Sequence, residues 1–146
     1  MKINQLILFL LLTFISCDSK DKLMANFVKC AINQIGKTYL EELNSRGPSV
    51  FSNSGLIWYC RDVAGFPKAS TIYVSWKNVK VPKVGAYALG ITRDTGVSVS
   101  GDDLGIIVSL NPTLVVVGDP EKGILTKQLL QFKKQYLRVE YIYVDF

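Results

Sequence analysis

Few side chains in this sequence can do covalent or acid–base chemistry, and the missing ones narrow the field most. Histidine is absent from all 146 residues. Mechanisms built on an imidazole base, a His-ligated metal or a histidine pH switch are therefore excluded. Thiol chemistry is limited to Cys17, Cys30 and Cys60. No Cys-x-x-Cys or comparable ligand spacing joins them, so neither a metal centre nor a cofactor is expected.

Hydroxyl and carboxylate groups form two further clusters. Ser52-Asn53-Ser54 stands directly before Gly55-Leu56-Ile57-Trp58-Tyr59-Cys60, and Asp102-Asp103 stands before Leu104-Gly105-Ile106. An unassisted serine is a weak nucleophile, and an aspartate at its ordinary pKa of about 3.9 is a poor base for a hydroxyl near neutral pH. Two adjacent carboxylates rarely hold a metal without further oxygen ligands. In the simplest reading Asn53 caps a helix and Asp103 begins a strand after the Gly101-Asp102 turn. In a sharper one the two face each other and hydrogen-bond as a polar brace.

The elements that position these groups run helices first and strands afterwards. Met24, Phe27, Val28, Ala31, Ile32 and Ile35 recur at the spacing of one apolar helical stripe, which Gly36 ends. After a polar loop, Ser52-Asn53-Ser54 supplies N-cap candidates for a helix from about Ser54 to Val63, closed by Gly65-Phe66-Pro67. Strands are expected at Ile72 to Trp76, Ala86 to Ile91, Gly105 to Leu110 and Thr113 to Val117, with turn residues between them. Ile124 to Lys134 reads as a helix with Leu125, Leu129, Leu130 and Phe132 inward, and Leu137 to Val144 as a half-buried strand. The expected architecture is one α+β domain over residues 20 to 146, its N-terminal helices packed on an antiparallel sheet.

Cys30 and Cys60 both fall on expected helices that need a buried face. Burial as two free thiols is the favoured reading, with a disulfide as the alternative in a compartment that permits one. Cys60 follows Asn53 by two helical turns and should point into the core, inert as a free thiol.

Lys2 followed by the apolar run Leu6 to Ile15 and then Ser16-Cys17-Asp18 has the lengths of a secretory signal peptide over residues 1–17. The run is far short of the roughly 20 apolar residues of a membrane-spanning helix, so no transmembrane helix is expected. The protein should then be secreted or lie at the cell surface. Its formal net charge of +5 comes from cations spread along the chain. That spread suits weak attraction to cell-wall polymers, acidic glycans or phospholipid headgroups, and no nucleic-acid motif accompanies it.

Two resemblances follow from these residues. Phe14-Ile15-Ser16-Cys17 resembles a bacterial lipoprotein signal, which implies a lipid anchor on Cys17, although Phe14 stands where leucine is usual. Residues 24 to 118 resemble the NlpC/p60 family of papain-like cysteine peptidases, which cut peptide bonds in bacterial peptidoglycan. Members carry a phenylalanine and then Asp-Cys-Ser-Gly-Leu where this chain has Phe51 and Ser52-Asn53-Ser54-Gly55-Leu56. Their Pro-Gly-Asp-Leu turn resembles Lys83-Val84-Gly85-Ala86-Tyr87, and their His-Val-Gly-Ile resembles Asp103-Leu104-Gly105-Ile106.

The resemblance implies a papain-like fold and puts Asn53 at the nucleophile position and Asp103 at the base position. It puts Tyr39 beside the nucleophile, and the residue that would orient the base falls within the apolar stretch Leu114 to Val117. That chemistry needs a thiol at a helix N-terminus, where the helix dipole favours thiolate, and an imidazole to take its proton. Both groups are missing, so a pseudoenzyme is expected, a module binding cell-wall peptide, glycan or a protein partner. Tyr39, Ser52, Ser54 and Trp58 are the candidate cleft-lining residues, and Tyr59, Tyr73 and Trp76 add to the aromatics available for a groove or for the core. The alternatives are a hydrolase (peptidase or amidase) with an unfamiliar nucleophile and a purely structural surface protein.

Overall fold

The computed structural model describes residues 19–41, 45–68, 76–92 and 104–144. The leader with Cys17, the expected strand start at Ile72, Tyr73, Asp102 and Asp103 lie outside the described residues.

Helix α1 covers residues 19–33. It ends near Gly36 as its stripe requires, but the stripe is wider than the core beneath it. Phe27, Val28 and Ala31 are buried, whereas Ile32 and Ile35 are exposed. Two short strands follow, β1 (Thr38–Tyr39) and β2 (Val50–Phe51), paired in parallel. Neither is expected from sequence, since strands of 2 residues carry no readable alternation.

Helix α2 (Asn53–Ala64) puts Leu56, Ile57, Cys60 and Ala64 on one buried face. Gly65 ends it in the left-handed conformation at φ 86°, with its N–H reaching back to the last turn.

The remaining strands are β3 (Trp76–Val79), β4 (Tyr87–Ile91), β5 (Leu104–Leu110), β6 (Thr113–Asp119), β7 (Gly123–Gln128) and β8 (Arg138–Val144). They form one 6-stranded sheet in the order β3-β8-β4-β5-β6-β7, with every neighbouring pair antiparallel. The chain is thus an α+β domain with an antiparallel sheet.

Both faces of the sheet are covered, so consecutive residues serve opposite cores. Tyr87 and Leu89 of β4 join α1 and α2, while Ala86 and Ala88 join the far side with Ile107, Val115 and Phe132. That far side is closed by α3 (Leu129–Lys133), preceded by β7. The helix expected over 124–134 is therefore strand in its first half, up to Gln128, and helix only over Leu129–Lys133. Ile124 faces one core and Leu125 the other, and two apolar neighbours of that kind mask a strand's alternation.

Candidate functional site

The N-terminus of α2 is built by the chain segment that returns to it. Ser52 is the N-cap, with φ −88° and ψ 168°, and its Oγ accepts the Gly55 N–H at 3.0 Å. The Ser52 N–H donates to the Ser45 carbonyl at 2.9 Å, which fastens the loop beneath the first turn. A Cβ at Gly55 would strike the Ser45 carbonyl, so this close approach requires glycine. Cap duty therefore falls to Ser52, and Asn53 is the first residue of the helix proper. The expectation that Asn53 itself caps is corrected accordingly.

Asn53 is only 3% exposed. Its Oδ1 accepts the Gly118 N–H of β6 at 2.7 Å, and its Nδ2 donates to the Tyr39 Oη of β1 at 3.5 Å. The Tyr39 ring packs close against Gly118, where any Cβ would collide with it. One carboxamide thus joins the N-terminus of α2 to β1 and β6. An amide is neither nucleophile nor base near neutral pH, and the positive end of the α2 dipole faces a neutral group.

Of the other residues singled out from sequence, Tyr39 and Ser52 are buried and Ser54 and Trp58 are half-buried. The Ser54 and Ser52 hydroxyls share a hydrogen bond at 3.3 Å. Trp58, further along α2, stacks under the Arg46 guanidinium, 4.9 Å from its ring centre. Leu104, next to Asp103, begins β5 and is buried in the same core as Leu56 and Ile57, and α2 packs directly on β5.

No protein-family model and no curated protein matches this chain. The site must therefore be judged on its own geometry.

Cys30 and Cys60 are joined in a disulfide, with Cα atoms 5.4 Å apart, which corrects the free-thiol reading. Both are buried. The bond ties α1 to α2, so Cys60 is a cross-link and has no thiol to offer as a nucleophile. One residue on, Arg61 is 5% exposed, and its guanidinium lies 5.1 Å over the Phe66 ring. It also hydrogen-bonds the Tyr87 hydroxyl. Burial pushes that hydroxyl's pKa above its ordinary value, and the hydrogen bond and charge of Arg61 pull partly against the rise.

Among the described residues, no three His, Cys, Asp or Glu side chains gather where they could hold a metal ion, and no helix is long and apolar enough to cross a membrane.

Sequence reasoning missed Gly118. Its signal was a glycine after the apolar run Leu114 to Val117, where a missing side chain lets another group approach the backbone. The search for a polar side chain on that strand passed over a backbone N–H.

Proposed function

We propose that this chain is an exported, hydrolytically inactive relative of the NlpC/p60 peptidases, with a papain-like version of the α+β fold, serving as a binding module for cell-wall peptide or glycan. The observation that carries this reading is the Asn53 carboxamide, buried at the N-terminus of α2 and hydrogen-bonded to Gly118 N–H and Tyr39 Oη. In a thiol hydrolase that position must present a reactive sulfur to substrate and to a base. Here it carries an amide engaged in holding three elements together, in a chain without histidine. The tyrosine beside it is the one the family resemblance puts there. The disulfide is consistent with export, because such bonds persist in oxidising compartments.

The test is paired. Purified protein should release no product from muropeptides or other peptides, and it should be retained on insoluble peptidoglycan. Turnover by the wild type that disappears in Ser54→Ala would overturn the loss of hydrolysis. Failure to bind any wall polymer would overturn the binding role. The double variant Asn53→Cys, Asp103→His should bring a thiol within reach of an imidazole, read as a thiol that alkylates faster near neutral pH than in Asn53→Cys alone. Identical alkylation rates would remove the family mapping.

A further inference from the structure

The apolar stripe of α1 extends beyond what the core covers, and its surplus lines a groove. Met24, Ala25, Val28 and Ile32 form one wall of this cavity of about 570 Å³, and Val84 and Tyr143 form the other. Ile32 is 44% exposed and Val84 38% exposed, so apolar surface is left uncovered here by the described residues. The charged residues around it are mainly cationic. Lys29 and Asp21 sit on the α1 wall, and the Lys83 ammonium lies 5.6 Å over the Tyr143 ring. Lys77 stands opposite Tyr143 on β3 and is exposed.

The sequence just upstream of this groove bears on what covers it. The groove begins at Asp21, in the first turn described for α1, and Leu6 to Ile15 and Cys17 lie immediately upstream in the sequence. At an α-helical rise of about 1.5 Å or an extended rise of about 3.4 Å per residue, the link from Cys17 to Asp21 spans at most about 14 Å. An uncleaved leader or a lipid on Cys17 would put the membrane surface within that reach of the groove mouth. An apolar trough rimmed by lysines matches the boundary of an anionic bilayer, where acyl chains meet phosphate groups.

We infer that the groove between α1 and the Val84–Tyr143 wall docks on an anionic phospholipid surface, with Lys29 and Lys83 on headgroup phosphates and Ile32 and Val84 at the acyl boundary. This inference rests on the export reading above but not on the fate of the catalytic position.

The test uses the full chain with vesicles of phosphatidylglycerol mixed with phosphatidylcholine, and with vesicles of phosphatidylcholine alone. The leader contributes to both partition coefficients, so their ratio isolates the anionic preference. The ratio should favour the anionic vesicles, and Lys29→Gln with Lys83→Gln should lower it about 30-fold, at roughly 1 kcal/mol per lysine near the surface. Lys122→Gln with Lys134→Gln removes the same charge from exposed sites outside the groove and should leave most of the ratio intact.

Equal falls in the two double variants would overturn the inference, reducing the effect to net charge. A concentration-dependent dimer that Ile32→Asp abolishes, without lipid preference, would also overturn it by showing a second copy in the groove. Peptidoglycan retention measured on the same variants separates the two proposals. Retention that survives the groove substitutions leaves the wall-binding role standing whatever the vesicles show.

Discussion

The two faces of the sheet are held to their helices by different means. On the face that carries Asn53, a covalent bond joins α1 to α2, and a buried amide fixes the start of α2 to β6. On the opposite face, α3 and the turn after it are held by apolar packing, with Phe132 fully buried and its ring 4.8 Å from that of Tyr136. The Lys133 ammonium, 5.5 Å over the Tyr141 ring, and an exposed Lys127–Gln135 hydrogen bond at 3.5 Å add only weak contacts there. The extra constraints converge on α2. Asn53 acts here as a joint between α2, β1 and β6, and substitutions there should be read first as changes in stability.

The largest expected effect lies on the packed face. Phe132→Ala should cost about 3–5 kcal/mol, through lost transfer energy and the cavity left behind. Urea unfolding of the variant measures it directly. A loss under about 1 kcal/mol would mean that the α3 face collapses freely and contributes little to the fold.

Next comes the cross-linked face. Replacing both Cys30 and Cys60 by alanine opens a loop whose ends are 30 residues apart, which costs about 3–4 kcal/mol in unfolded-state entropy. The contrast between faces makes the prediction sharper than its magnitude. Hydrogen exchange should quicken at Phe27, Val28 and Ala31 in α1 while Leu129 and Phe132 keep their protection. Uniform loss of protection would show that the two faces unfold as one unit and that the disulfide does not single out α1.

Asn53→Ala should cost about 1–3 kcal/mol, because the Gly118 N–H would lose its acceptor in a buried setting. The same variant should leave retention on wall polymer unchanged once it is measured well below the melting temperature. Retention lost without loss of stability would turn the joint back into a ligand-contacting residue.

How much of this contrast can be read from sequence depends on whether a feature is local. α1, α2 and β4 to β6 follow from apolar spacing and end signals, and each is found within a few residues of the expected bounds. Ile124 and Leu125 defeat the same method, since a strand buried on both faces loses its alternation and resembles a helix segment. The disulfide was open in sequence because pairing depends on a distance between two helices that no local pattern encodes. Of the candidate site, the serine–asparagine segment stands out by residue type, and Tyr39 only through the family resemblance. Their actual connection runs through the backbone of Gly118, 65 residues from Asn53, and a main-chain donor has no letter in the sequence.

The smallest effect concerns the hairpin between β6 and β7, at the far edge of the sheet from the lysine-rimmed groove. The Asp119 carboxylate accepts the N–H groups of Glu121 and Lys122 at 3.1 and 3.2 Å and pairs with Lys127 at 3.3 Å. The Glu121 hydrogen bond, helped by Lys127 and Lys122, holds its pKa below the ordinary carboxylate value despite slight desolvation. A folded-state pKa lower than the unfolded one means that the fold prefers the ionised form. Its contribution is therefore fully present above the unfolded value of about 3.9 and is lost as pH falls through the folded one. Asp119→Asn keeps the shape and removes the charge, so it should lower the melting temperature slightly at pH 7 and lose that effect as pH falls through the folded-state value. An equal deficit on either side of that value would assign the stabilisation to hydrogen-bond geometry and leave the charge without a role. The hairpin would then be held without help from ionisation.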